Sequence, residues 1–181
     1  MAYVFNPFTQ ELDFIGPNAG LINFRGSFSD SSTQLVQYTT AGQVITMDTV
    51  ELADGVTLAS NSRITLPLIG DYLLTFSAML ITNSNQPQGV DIWLRKNGSG
   101  AVARSSTHMH VAKNSTNVMA VPFIISATAQ NDYFQLMMCA SSGIDTAGVA
   151  DTGIAAIAAS AANPVRPAAP SIIVTVNKIT T

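Results

Sequence analysis

At 181 residues the chain is long enough for one domain with a substantial core. A net charge of −3, with only eight lysines and arginines and no cluster among them, argues against direct nucleic-acid binding, which needs several cations on one surface. Charged residues make up 10% of the chain, against about a quarter in ordinary soluble domains, so the polar surface must come from Ser, Thr, Asn and Gln, and such a surface resists association poorly.

The first thirty residues form a segment of their own. Tyr3, Phe5, Phe8, Leu12 and Phe14 crowd into a stretch punctuated by Pro7, Gly16, Pro17 and Gly20, with no sustained helical or strand period. Two readings stand: an extension folded back on its own domain, or an arm whose aromatics fill pockets on a partner. The arm is expected over residues 1–33, with the polar run 27–33 as a hinge. The start is not a secretory signal, since its first positive charge is Arg25 and Pro7, Glu11 and Asp13 interrupt any apolar run.

From residue 34 to 181 the signals are those of a β domain. Residues 35–40, 44–50 and 56–58 are short and rich in β-formers, with turns at Ala41-Gly42 and Asp54-Gly55. Residues 64–68 follow, Pro67 marking an edge or a bend. The stretch 70–98 reads as two strands closed by an Asn97-Gly98 turn. In the first, Tyr72, Leu74, Phe76, Ala78 and Leu80 share one face, while Leu73, Met79 and Ile81 share the other. Both faces are apolar, and periodicity does not say which is core. In the second, Trp93 shares a face with Asp91 and Arg95, which suits the rim of an interface. Further strands are expected near 101–111, 118–128, 133–140 and 172–179. Spacings of roughly 10–15 residues without a convincing helix indicate an all-β antiparallel sandwich or barrel.

One segment departs from this pattern. Residues 144–170 are rich in alanine and carry Pro164, Pro167 and Pro170 before the last strand. Alanine propensity favours one or two helical turns over 154–162, and so long a loop in a compact domain suggests packing on a neighbouring subunit or a larger surface.

Chemistry is sparse. No nucleophile-elbow, phosphate-loop or dinucleotide motif occurs, and the two glutamates, Glu11 and Glu51, have no carboxylate partner nearby in sequence, so no catalytic residue and no cofactor is assigned. His108 and His110, at i and i+2 on a strand, share a face and are the one metal-like pair; they read more simply as polar strand residues among Ser105, Ser106 and Thr107. Asp145 and Asp151 bracket a loop too poor in oxygen ligands for a good calcium site, so no metal is assigned. Cys139 has no partner for an intrachain disulfide and sits in an apolar run, where it reads as a small buried hydrophobe. The absence of a disulfide framework fits assembly in a reducing cytoplasm. No run approaches the roughly 18 apolar residues of a membrane span, so no membrane partner is expected. The sequon at Asn114-Ser115-Thr116 is read as incidental.

The order LPLIGDYLLTFSAML, IWLRKNG, NVMAVPFIISATAQNDYFQLMM and SIIVTVNKI resembles the jelly roll of complement C1q globular heads and tumour necrosis factor. Gly70-Asp71-Tyr72, Lys96-Asn97-Gly98 and Asn131-Asp132-Tyr133 stand at that family's turns, with Asn131 where the family usually has Gly. The opening YVFNPFTQELDFIGP is similar to the openings of many tailed-phage structural proteins. The resemblance implies a homotrimer burying one sheet near a threefold axis, with Tyr72, Phe76, Met79, Trp93, Phe123, Tyr133 and Met137 as expected seam residues. The function expected is that of a non-enzymatic virion protein decorating the outer phage head, partnered by the major capsid protein or another virion protein through the arm. A head- or tail-fibre knob binding a host receptor or glycan is the alternative, although no heptad or repeat supplies a shaft.

Overall fold

The computed structural model describes residues 2–6, 11–15, 24–36, 41–142, 151–162 and 164–179. All its regular elements are strands: β1 (Ala2–Asn6), β2 (Glu11–Ile15), β3 (Arg25–Asp30), β4 (Gln34–Leu35), β5 (Gln43–Val44), β6 (Thr49–Asp54), β7 (Thr57–Ala59), β8 (Arg63–Thr65), β9 (Gly70–Thr82), β10 (Gln88–Lys96), β11 (Thr107–Val111), β12 (Ser115–Ala127), β13 (Tyr133–Ser142), β14 (Thr152–Ile154) and β15 (Ile172–Lys178).

Strand β9 organises the body. Along one edge it pairs with the whole of β12; along the other it pairs with β15 at Tyr72–Ala78 and with β14 at Leu80–Thr82. Continuing outward, β14 pairs with β4, and β15 with β3 and then β6, completing a seven-stranded sheet. The second, six-stranded sheet runs β11-β10-β13-β8-β7, with β5 also on β13. All pairings are antiparallel, and the neighbours are mostly remote in sequence, as long Greek-key connections require.

The core lies between the sheets. Tyr72, Leu74, Phe76, Ala78 and Leu80 of β9, with Phe28, Ile172, Val174 and Val176, meet Val90, Ile92 and Leu94 of β10 and Phe134, Leu136 and Met138 of β13. Strand alternation therefore resolves the two apolar faces of β9, because only the even-numbered set is enclosed by a second sheet. The buried Tyr72 hydroxyl donates to the Leu68 carbonyl at 2.9 Å, in the bend that Pro67 introduces between β8 and β9.

Three expectations are corrected. The body does not begin at residue 34: β3 is an inner strand between β15 and β6, and Phe28 is part of the core. Its alternation went unread because Phe28 is the one large apolar residue on its inward side, flanked there by Gly26 and Asp30. Residues 154–162 are not helical. Ile154 is buried in the core at the end of β14, and the chain beyond forms antiparallel bridges at Ile157–Ala169 and Ser160–Arg166, so tertiary burial overrides alanine propensity. The strand expected over 101–111 is confined to Thr107–Val111. Before it, residues 101–106 form a loop fastened to β10: Val102 N–H donates to Leu94 O at 2.8 Å, and the Ser105 hydroxyl accepts from Leu94 N–H at 3.0 Å.

In the arm, β1 and β2 form a hairpin that places Tyr3 opposite Phe14 and Phe5 opposite Leu12. Five-residue strands are too short to show a period by themselves. Phe8 lies outside the described residues, as do 37–40 of the expected first body strand and residues 143–150, whereas the expected hinge over 27–33 is described and is not a hinge, since Ser27–Asp30 belong to β3.

Candidate functional site

The outward surfaces of the two sheets differ in chemistry. On the seven-stranded sheet, Leu73, Thr75, Ser77 and Met79 of β9 stand opposite Ile124, Pro122, Ala120 and Val118 of β12, and Ser77 also stands opposite Ile173 of β15. Paired residues point the same way, so these side chains form one surface. It has no charge from Leu73 to Ile81 on β9 or from Thr116 to Ile124 on β12. Ile124 is 73% exposed and Val118 61%, and Leu73, Ile173 and Leu52 are also open to solvent. Charges return only toward the ends and the far edge, with Asp71, the Arg25–Asp54 ion pair at 3.4 Å and Glu51 accepting from Ser29 at 3.0 Å. A contiguous apolar patch of this kind marks an interaction surface.

The outward surface of the six-stranded sheet is laced with polar contacts. Arg95 donates to Gln135 Oε1 at 2.9 Å, Gln135 donates to the Ser62 hydroxyl at 3.0 Å, and the Arg63 guanidinium lies 5.0 Å from the Tyr133 ring centroid. His108 Nδ1 sits 2.8 Å from Asp91 Oδ1, and His110 packs edge-on to His108 at 4.7 Å. Among the described residues no group of three or more His, Cys, Asp or Glu is placed to hold a metal. Cys139 is half-buried beside Asp91; burial, and then the neighbouring carboxylate, push its thiol up, so it is a poor nucleophile.

The expected seam residues therefore fall in four places. Tyr72 and Phe76 are wholly enclosed in the chain's own core and have no surface to give a neighbour. Met79 lies on the apolar face. Phe123 points inward at the β12 edge, half-buried and stacked on Phe76 at 6.0 Å between centroids. Trp93, Tyr133 and Met137 lie on the opposite sheet, with Met137 buried beneath the chain at Gly42 and β5. Of these residues only Met79 stands on the apolar outward face of the seven-stranded sheet. The residues that carry the apolar face, Val118 and Ile124 with Leu73 and Ile173, are aliphatic residues that read as ordinary strand formers. Their signal was the second apolar face of 118–128.

The two family-like turns meet in space. Asn97 Nδ2 donates to Asp132 Oδ1 at 2.8 Å, Tyr133 N–H donates to Asn97 Oδ1 at 2.9 Å, and Lys96 Nζ lies 2.7 Å from Asp132 Oδ2. The same carboxylate accepts from the Thr128 and Ala129 N–H groups at 2.7 and 3.0 Å. Burial alone would raise the Asp132 pKa, but these donors together hold it far below the usual carboxylate range. Asn131, at the position where the resemblance expects Gly, adopts φ +62°, a left-handed conformation that Asn tolerates better than most residues.

No family model matches the chain, and no curated protein matches it. Among solved structures, the globular domain of the zebrafish complement 1qA protein superposes with a TM-score of 0.55 at 12% identity, covering 87% of this chain and 98% of that one. The fold is a C1q-like jelly roll. At that identity the likeness is one of architecture. Among the described residues no helix is long and apolar enough to cross a membrane.

Proposed function

We propose that this protein is a non-enzymatic structural protein that works as a homotrimer, with the seven-stranded sheet turned toward its neighbours. The charge-free outward face of β9, β12 and β15 carries this reading: C1q-like jelly rolls commonly assemble as trimers, and this is the face of the chain that water solvates poorly. Within that class we infer an outer decoration protein of a tailed-phage head, located on the virion surface and bound to the major capsid protein or another virion protein. The phage-like opening sequence and the aromatic arm with its β1–β2 hairpin support that finer reading. Sedimentation at micromolar concentration should show a trimer, and a stable soluble monomer would overturn the assembly. Deleting residues 1–22, which leaves β3 in place, should abolish binding to particles while preserving the trimer; truncated protein that still decorates heads would refute the arm. The second reading, a fibre knob binding a host receptor or glycan, is favoured by a cleft on the outward side of the six-stranded sheet. A copy number of hundreds per head supports decoration, and a handful supports a fibre.

A further inference from the structure

The cleft lies where β11 stops short along β10. Strand β11 pairs with β10 only from Gln88 to Ile92, and beyond that point the loop 101–106 takes its place along the edge. Between this loop and the outward side of the sheet is an open depression of about 370 Å³, within the range of small-ligand sites. Its floor is Asp91, Trp93 and Cys139, and its wall is the loop, with Val102, Arg104 and Ser106 lining it.

Several observations separate this depression from an ordinary surface groove. Its wall is built rather than slack: the Ser105 hydroxyl accepts from Leu94 N–H and donates to the Val102 carbonyl at 2.8 Å, so a buried side chain clamps both ends of the turn. Trp93 is seated against Gly42, where an added Cβ would fall 2.4 Å from the indole Cζ2, so the missing side chain makes room for the ring. Arg104 has φ +64°. The other non-glycine residues with positive φ among those described are four asparagines and one serine, types suited to turns; a long charged side chain in the left-handed region is strained. Strain of this kind persists where the surrounding structure imposes it, and it clusters at ligand sites. The guanidinium it positions is exposed, and among the described residues no hydrogen bond or ion pair occupies it.

The chemistry of the lining selects the ligand. Asp91, whose Oδ1 lies 2.8 Å from His108 Nδ1 and whose Oδ2 lies 3.9 Å from Cys139 Sγ, offers its remaining lone pairs as acceptors, Arg104 offers only donors, and the Ser106 hydroxyl does both. Trp93, Ala101 and Val102 supply apolar surface between them. A sugar ring has this combination in complement, an apolar C–H face edged by hydroxyls that donate and accept. The near balance of Asp91 against Arg104 disfavours a strongly charged ligand, and the open shape disfavours a fully apolar one.

We propose that the cleft between β10 and the loop 101–106 binds a terminal pyranose of a glycan, with Trp93 against the ring and Asp91, Arg104 and Ser106 on its hydroxyls. This deepens the fibre-knob reading and does not depend on the trimer beyond requiring that the six-stranded sheet face outward. A failure of the cleft therefore leaves the decoration reading standing, and sedimentation or particle binding tests that reading separately.

Trp93 is the chain's single tryptophan, so its emission reports directly on the cleft. The full chain is titrated with the methyl pyranosides of glucose, galactose, mannose, N-acetylglucosamine and N-acetylneuraminic acid, each free and displayed on a polymer. The expected result is a saturable change in emission with at least one sugar, weakened about tenfold or more in Asp91→Asn and in Arg104→Gly, since each removes a charged hydrogen-bonding group. Arg104→Gly also relieves the strained backbone, so a folding defect does not account for lost binding in that variant; its thermal midpoint should match or exceed the parent's. Absence of a saturable response to every sugar in both forms overturns the proposal, as does a response that survives both substitutions.

Discussion

At the residue scale, Asp132 is the side chain whose surroundings say most. Its carboxylate ties the β10 hairpin end to the turn before β13 through Asn97, Lys96 and the Thr128 and Ala129 N–H groups. Because the folded state depresses its pKa, the unfolded chain binds the proton more readily, so this tie contributes fully above about pH 4 and is lost as the pH falls below that. Asp132→Asn should cost about 1.5–3 kcal/mol at pH 7, the usual worth of hydrogen bonds to a charged group. Denaturant titrations at several pH values should show the gap between variant and parent narrowing toward pH 2. A gap that stays constant would mean the carboxylate charge plays no part. The motif NDY was visible in the sequence as a turn, but its pairing with KNG was not, because 34 intervening residues separate Asn97 from Asp132 along the chain and only the sheet brings them together.

At the element scale, β14 shows how a weak strand is held. Three residues long, it pairs with both β4 and β9, and its Gly153 lies so close to β4 that an added Cβ would meet the Gln34 carbonyl oxygen at 2.2 Å and the Leu35 Cα at 2.8 Å. These are backbone atoms and have no rotamer into which to retreat. Gly153→Ala should therefore destabilise the fold by about 1–3 kcal/mol, the range for overpacking. Gly100→Ala, where nothing lies within 4 Å, should be nearly neutral by the same chemical denaturation measurement. Equal midpoints for the two variants would show that β4 and β14 separate at little cost. Thr152–Ile154 of the alanine-rich segment are thus part of the sheet. A three-residue strand containing glycine has no period to read, so alanine content alone suggested a helix.

At the scale of the whole molecule, the two outward sheet surfaces divide the work proposed for the protein. The seven-stranded sheet offers an apolar face for assembly, and the six-stranded sheet offers a polar face with the Trp93 cleft. Ile124 and Leu73 stand directly opposite one another toward one end of the paired β9 and β12 and point away from the core. Ile124→Glu should leave the β-rich circular dichroism spectrum intact while converting the trimer to monomer in sedimentation, because a desolvated unpaired carboxylate costs several kcal/mol at each of three seams. A variant that remains trimeric would move the interface elsewhere. The Trp93 response to sugars should be unaffected by Ile124→Glu, since the two surfaces belong to different sheets.

The sequence alone determined the all-β class, most strand positions, the turns at Asn97 and Asn131, and the fact that β9 has two apolar faces. These are local properties: alternation, β-branched and aromatic content, and residues that tolerate positive φ act over a few positions. Only the tertiary structure decided which face is core, because a strand with two apolar faces is symmetric until a second sheet covers one of them. That covering enclosed Tyr72 and Phe76, sent Trp93 and Tyr133 to the opposite sheet from Met79, and left Val118 and Ile124 outside. It also drew Arg25–Asp30 into the body through pairing with β15, a strand almost 150 residues away in a chain of 181. Long-range pairing of this kind leaves no mark on either segment's own sequence, since the partner's backbone, and not its side chains, supplies the hydrogen bonds.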